Sequence, residues 1–392
     1  MNFLYINGPV HNGPFTFAER PGKAAGLRAA AALNTLLDAG PAPHLWNTVT
    51  LAGDLRHRDA PDRDTVGRQE REEHAIAAKY APGAAPAGGV LTDTAPVVAA
   101  LALEMTERLL QDGVLAVAPV PVHLCTRCGH MAGVVAHTCR ACEHPSFRPQ
   151  TRQLLVWDRL PGAPVLARDD FHAHRARTPG HLLSVAQNVP ERLILSRTRD
   201  HGISLAPLGL DGLVLDPRAG VHIAVLAAAA QSNTGQPVMT ITENAAANVA
   251  AYGALFRRHN GTRLRYAVHG RIPYDDTAAL QRLCEVHRVS QALRELFLTW
   301  FLPLCSLHIR TGITAAQLPA LLEFCRRAHL ARPDTPGSDG LAELRRRVAA
   351  GDMRWVMDVR TLSRAIPEYP VIHSPEAIAE VTSMLAPGDR RR

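Results

Sequence analysis

Two Cys-x-x-Cys pairs, Cys125-Thr-Arg-Cys128 and Cys139-Arg-Ala-Cys142, stand ten residues apart and constrain this chain more than any other feature. Each pair closes a tight loop, so together they bring four thiolates to the corners of a tetrahedron without needing a large core. Four sulfur ligands at about 2.3 Å suit Zn²⁺ and leave no position open for water, which describes a structural ion. The competing reading is four reduced buried thiols or a redox pair; the doubled spacing favours the metal. His130 and His137 lie inside the loop as substitute ligands. Cys284, Cys305 and Cys325 stand singly in apolar helical text, and seven is an odd count in a chain with no export signal, so no disulfide framework is expected.

The rest of the composition is that of a globular protein of two or three domains: 392 residues, 46% hydrophobic and 20% charged. No run approaches the roughly 18 apolar residues of a membrane span, and Met1 to Ile6 carries no basic leader, so a cytoplasmic protein is expected. The net charge of +7 would permit a polyanionic partner. Only two of the 43 basic residues are lysines, Lys23 and Lys79, which leaves 41 arginines. With abundant Ala, Gly and Pro, that imbalance reads as coding bias more simply than as a phosphate-binding surface.

Along the chain, Phe3 to Ile6 reads as a strand, Asn7 to Pro14 as turn text, Ala24 to Ala39 as a helix closed by Gly40, and Leu45 to Leu51 as a second strand. This β-α-β opening implies a parallel sheet, whose ligands sit at the carboxyl ends of the strands. Residues 55 to 90 form an irregular connection with a short helix near Thr65 to Tyr80. Thr94 is the expected N-cap of a helix with Pro96 in its first turn, burying Val97, Val98, Leu101, Met105 and Leu109 and ending at Gly113. Two short strands, one near Leu154 to Trp157, accompany the cysteines. Glu191 to Ser196 and Val221 to Ala227 are read as strands returning to a buried sheet, and Arg263 to His269 as a further strand. Residues 277 to 392 are mostly helical, with segments at Thr277 to His287, Gln291 to Cys305, Ala315 to Ala328 and Leu341 to Ala350, and no internal repeat is apparent.

These pieces resemble a known family. Leu4-Tyr5-Ile6-Asn7-Gly8-Pro9-Val10-His11-Asn12-Gly13-Pro14 is similar to the strand-turn signature of class I aminoacyl-tRNA synthetases, methionyl-tRNA synthetase in particular, where Asn-Gly-Pro leads into the HIGH motif. Thr92-Asp93-Thr94 with its helix resembles the segment before that family's zinc knuckle, and Cys125, Cys128, Cys139 and Cys142 match the knuckle. Leu195 to Ile203 is similar to the S-R-D-x-x-W-G-I element, and Arg265 to Gly270 resembles the strand ending in His-Gly before the KMSKS loop. The resemblance implies an α/β fold: a Rossmann-like parallel sheet in two halves, residues 1–113 and 191–276, split by a connective zinc-knuckle insertion at 114–190 and followed by a helical region at 277–392. It also implies a pocket in which ATP and Mg²⁺ activate an amino acid carboxylate. Carried over residue by residue, His11 and Asn12 would be catalytic. Tyr5, Asn7, Asp54, His222 and Asn248 would contact the substrate, and Gly13, Arg197, Asn244 and His269 the nucleotide. Asp54, in Gly53-Asp54, would pair with the substrate ammonium; the other reading of Asp54 is a solvated residue of a charged patch.

The sequence departs from the family where phosphate is gripped. His11 and Gly13 remain of the HIGH tetrad, while Asn12 and Pro14 replace the rest. No Lys follows Lys79, and the text runs from His269-Gly270 straight through Arg271 to Asp276 into a helix, so the KMSKS loop is deleted. Thr242-Glu243-Asn244 replaces a Gly-Lys-Asp segment, and His222-Ile223-Ala224 an aromatic-then-Asp segment. Three functions follow. One is a synthetase-like enzyme of specialised metabolism, joining an amino acid to a small amine or hydroxylamine as hydrazine synthetases do, with a separate cupin-type partner. The others are a catalytically silent binding module and a divergent aminoacyl-tRNA ligase; the shortened helical tail argues against tRNA as a partner.

Overall fold

The computed structural model describes residues 3–8, 25–39, 42–46, 90–132, 137–139, 142–160, 166–172, 180, 183–184, 186, 188–198, 202–232, 236–242, 245–273, 277–309, 312–331 and 338–368. The first half of the chain contributes β1 (Phe3–Asn7), α1 (Ala25–Leu37), β2 (His44–Trp46), β3 (Val90–Thr92) and α2 (Pro96–Gln111). An antiparallel hairpin follows, β4 (Ala116–Cys125) and β5 (Phe147–Asp158), with short strands β6 (Arg192–Ile194), β7 (Ser196–Arg197) and β8 (Val214–Leu215). The chain then returns through α3 (Pro217–Gln231), β9 (Gln236–Thr242), α4 (Ala246–Phe256), β10 (Arg258–His259), β11 (Thr262–Arg263) and β12 (Arg265–His269). The C-terminal helices are α5 (Thr277–Val286), α6 (Gln291–Glu295), α7 (Leu302–His308), α8 (Leu318–Leu330), α9 (Ser338–Ala349) and α10 (Val359–Ala365).

At the centre is a parallel sheet in the order β1-β9-β12, with the parallel pair β2-β3 beside β1. Side chains alternate between its faces, as the pleat requires. Leu4, Ile6, Met239, Ile241, Tyr266 and Val268 enter one core with α2, α3 and α4. Phe3, Tyr5, Val238 and Ala267 enter a second core with α1 and the C-terminal helices. A sheet buried on both faces is the doubly wound arrangement. Each fully buried Leu, Ile or Phe contributes about 1.5–3 kcal/mol.

The sheet edges are closed by side chains and by the insertion. Asn34 of α1 mimics a neighbouring strand, its Oδ1 accepting from the Tyr5 N–H and its Nδ2 donating to the Tyr5 carbonyl, both at 2.8 Å. On the other side Phe171 pairs parallel with Tyr266, and the His172 N–H donates to the Tyr266 carbonyl at 2.8 Å. In the insertion, β4 is an edge strand, and Pro119 and Pro121 alternate along it so that their N–H-free nitrogens face one way. Between α6 and α7 the helix widens into a π turn, Leu296–Phe301. Pro303, five residues beyond Leu298, has no N–H for the Leu298 carbonyl, and Arg28 Nη1 of α1 supplies that donor at 2.9 Å.

Several expectations are corrected. Val221 to Ala227 is not a strand but the middle of α3, capped by Asp216, whose side chain accepts from the Arg218 N–H. It is buried all round, so its apolar run, broken only by His222, carries no helical period. The central strand is instead β9. Glu191 to Ser196 supplies short antiparallel strands that pair with β5 and β8 rather than a core strand, and the hairpin strands that accompany the cysteines are long, 10 and 12 residues. Helix α2 is capped at Ala95, not Thr94, and buries Val98, Ala102, Met105 and Thr106, leaving Val97 exposed. The helix expected at Thr65 to Tyr80 lies outside the described residues. Among those described, no helix is long and apolar enough to cross a membrane.

Replacing Asn34 with Leu strands two buried backbone groups of Tyr5. A loss of about 3 kcal/mol, read as a lower urea midpoint with an unchanged slope, is expected.

Candidate functional site

The four cysteines converge. Their sulfurs all lie within 4.8 Å of one another, with Cys125–Cys142, Cys128–Cys139 and Cys128–Cys142 Sγ···Sγ distances of 3.5 Å. A tetrahedron with sulfur about 2.3 Å from its centre has edges of about 3.8 Å, whereas a disulfide needs about 2.05 Å. The cluster can therefore hold a metal ion such as zinc. Its two halves share a hydrogen-bond pattern. The Cys125 N–H donates to the His130 carbonyl and the Cys139 N–H to the His144 carbonyl, each at 2.9 Å. The Gly129 N–H returns to the Cys125 carbonyl at 3.0 Å and that of Glu143 to Cys139 at 2.7 Å. Both fifth residues are left-handed, Gly129 at φ 74° and Glu143 at φ 56°. Cys-x-x-Cys-x-His thus recurs at 125–130 and 139–144, a short repeat that the sequence reading overlooked. The histidines contribute carbonyl oxygens to these turns, and no His joins the cluster among the described residues.

A second site forms at the carboxyl ends of the parallel strands. Asn7 ends β1, Thr240 lies on β9 and His269 ends β12, and all three face the first turn of α1. The Thr240 hydroxyl is shared between the Gly26 carbonyl at 3.0 Å and Asn7 Oδ1 at 3.2 Å. A Cβ on Gly26 would collide with Asn7 Oδ1, lie 2.7 Å from His269 Nε2 and 3.2 Å from Thr240 Oγ1. Gly26 is what lets the three polar groups meet at the helix. His269 is buried, and burial pushes its pKa down to about 4. Its Nδ1 lies 3.2 Å from the Gly270 carbonyl, which can only accept, so the proton sits on Nδ1 and Nε2 is left as an acceptor. Among the described residues the groups gathered here are uncharged, and His269 Nε2 is an acceptor. The next basic residue along the chain is Arg271, which is exposed.

Just past His269 the backbone is clamped. The Gly270 N–H donates to the Ser306 carbonyl at 2.9 Å and the Ile313 N–H to the Arg271 carbonyl at 2.7 Å. A Cβ on Gly270 would lie 2.8 Å from the Gly312 backbone.

The other predicted residues divide. Tyr5 is fully buried on the α1 side, its hydroxyl has no partner among the described residues, and burial raises its pKa. His222 is buried on the opposite face. Its Nδ1 lies 3.3 Å from the Arg218 carbonyl, its ring stands edge-on to Tyr266 with centroids 6.0 Å apart, and burial pushes its pKa down to about 4. Arg197 has a protein partner: its Nε donates to Asp216 Oδ2 at 2.7 Å, and Arg218 grips the same buried carboxylate with Nε and Nη2, both at 2.9 Å. Burial alone would raise the Asp216 pKa; the Arg218 hydrogen bonds and both guanidinium charges overcome that and hold it well below the usual carboxylate range. Asn248 lies on α4. His11, Asn12, Gly13, Asp54 and Asn244 lie outside the described residues.

No family model matches the sequence, and no curated protein matches it. Solved structures do. Mycobacterium tuberculosis methionyl-tRNA synthetase bound by methionyl-adenylate aligns with a TM-score of 0.58 at 12% identity, covering 97% of this chain and 87% of that one. A second structure of that enzyme in complex with methionyl-adenylate gives 0.55 at 15% identity, with 94% and 83% covered. Its apo form gives 0.52 at 13%, with 97% and 85% covered. The chain has the methionyl-tRNA synthetase fold.

Within this synthetase-like frame, Asn7 and His269 stand together, while His222 and Arg197 lie elsewhere in the first core and its rim. Thr240 and Gly26 escaped the sequence reading. A glycine in the first turn of an otherwise Ala- and Leu-rich helix was the available signal, since Gly costs about 1 kcal/mol there relative to Ala.

Elemental analysis is expected to find one zinc per chain, lost on replacing Cys139 with Ser. Gly129→Val, a β-branched residue at φ 74°, is expected to weaken metal retention against a chelator by about tenfold or more. His222 and His269 also set an acid limit. Folded pKa values of about 4 against the ordinary histidine value of 6.5 mean that the unfolded chain binds more protons below pH ~6.5. Stability is therefore full above ~6.5 and falls as pH drops from ~6.5 to ~4, by up to ~3 kcal/mol per histidine, measurable by denaturant titration at a series of pH values.

Proposed function

We propose that this chain is a methionyl-tRNA synthetase-like enzyme of specialised metabolism, which activates an amino acid and joins it to a small amine or hydroxylamine in the manner of a hydrazine synthetase. The observation that carries this reading is the cluster of Asn7, Thr240 and His269 at the strand ends, uncharged among the described residues and with His269 Nε2 as an acceptor. Nε2 of His269 cannot donate to a phosphate at neutral pH, but it can accept from an ammonium, amine or hydroxyl group. Methionyl-adenylate is the ligand of two of the similar synthetase structures, and the ammonium N–H donors of an aminoacyl group are what the His269 acceptor suits.

The spacing past β12 supports the same reading. Gly270 is fixed on Ser306 and Gly312, and α5 begins at Thr277, so six residues stand where the resemblance expects a KMSKS loop. ATP with Mg²⁺ would supply the leaving pyrophosphate in the activating step. Zinc at the four cysteines would staple the insertion and take no part in that step. A separate cupin-type protein would furnish the partner substrate, and tRNA would not be used.

Amino-acid-dependent exchange of pyrophosphate into ATP, run across all amino acids with and without candidate amines, tests this. Gly26→Ala is expected to abolish exchange, because its methyl displaces Asn7 and His269, at a cost to stability of about 1–3 kcal/mol. Charging of tRNA with methionine by the purified protein would overturn the small-molecule reading. Exchange with no amino acid would favour a silent binding module.

A further inference from the structure

At the opposite end of β12 from His269, the chain builds a groove of about 440 Å³ between the C-terminal turn of α2, the end of α4 and the β10-β11 hairpin. That volume lies in the range of small-molecule sites. Met105, Leu109 and Leu255 line its floor, and Met105 and Leu255 are otherwise buried. One wall is rigid: Asn260 at φ 44° and Gly261 at φ 79° form the two-residue turn that fixes hairpin register.

The charges of the rim are unequal. Arg258 stands directly across the hairpin from Arg263, a like-charge pairing that destabilises a two-stranded ribbon. Arg263 is neutralised by Asp169 at 2.8 Å and Asp170 at 2.6 Å. Arg258 is exposed and has no acidic partner among the described residues. Arg108, also on the rim, has Asp112 at 3.9 Å. One guanidinium is thus unspent beside an apolar floor, and the Asp112 carboxylate on the same rim disfavours a dianion.

We propose that this groove binds an amphiphilic monocarboxylate, its carboxylate on the Arg258 guanidinium and its apolar body on Met105, Leu109 and Leu255. A single negative charge completes the unbalanced cross-strand arginine pair. A guanidinium can hold a carboxylate with two parallel hydrogen bonds. The ligand is separate from the amino acid taken at the Asn7–His269 end, and neither proposal depends on the other.

Calorimetric titration of the full chain with octanoate, octylammonium and octanol tests the inference. Octanoate is expected to bind more tightly than either, and Arg258→Ala to weaken it about tenfold or more while leaving octanol unchanged. Arg258→Lys should retain part of the octanoate affinity, and Leu109→Gln should weaken octanoate and octanol together. Equal binding of octylammonium, an unchanged affinity in Arg258→Ala, displacement of octanoate by equimolar inorganic phosphate, or no heat with octanoate would each overturn it.

Discussion

A carboxylate without water must be answered by positive charge, and two such carboxylates hold this molecule together. Asp170 is fully buried, with Arg257 Nε at 3.1 Å and Arg263 Nη2 at 2.6 Å. Asp216 is buried between Arg197 and Arg218. Each joins a segment from the hairpin side of the chain to the returning half of the sheet. Asp170 fixes Phe171 and His172 along the edge of β12, and Asp216 both caps α3 and ties it to β7. Isolated, either charge would be very costly to bury. Paired and hydrogen-bonded, each gives the long insertion one way to dock. Arg218 shows the use of a planar fork here, reaching the buried Asp216 with two donors at once.

Much of this was legible in the residues. The four cysteines declared their site because ligand spacing is a local property, and α1, α2, β1, β12 and the C-terminal helices followed from periodicity and end signals. What failed was tertiary in origin. Val221 to Ala227 reads the same as a buried strand or as a helix packed on every side, and only the neighbours decide. Strand β9 is the centre of the sheet, yet Gln236 to Thr242 mixes apolar and hydroxyl residues because Thr240 serves the site. Arg197 looked like a phosphate ligand because nothing local reveals that Asp216, nineteen residues on, takes its Nε.

The two chemical centres differ in how they are built. At the cysteines, backbone turns come first: the same six-residue pattern, used twice, points four sulfurs inward. At the carboxyl ends of β1, β9 and β12, the absence of a side chain on Gly26 comes first and the polar groups close around it. Burial then keeps His269 neutral, with Nε2 as an acceptor among the described residues.

Arg28 adds a consequence of its own. The arginine rises from the helix whose first turn forms the wall of the strand-end site, and it donates to a carbonyl that the widened turn before Pro303 leaves open. Arg28 stands two residues from Gly26, so the bond fastens that same first turn of α1 to the helical tail. The strand-end wall and the helical tail are therefore anchored to each other through one guanidinium, at a carbonyl that a proline has left without its usual donor.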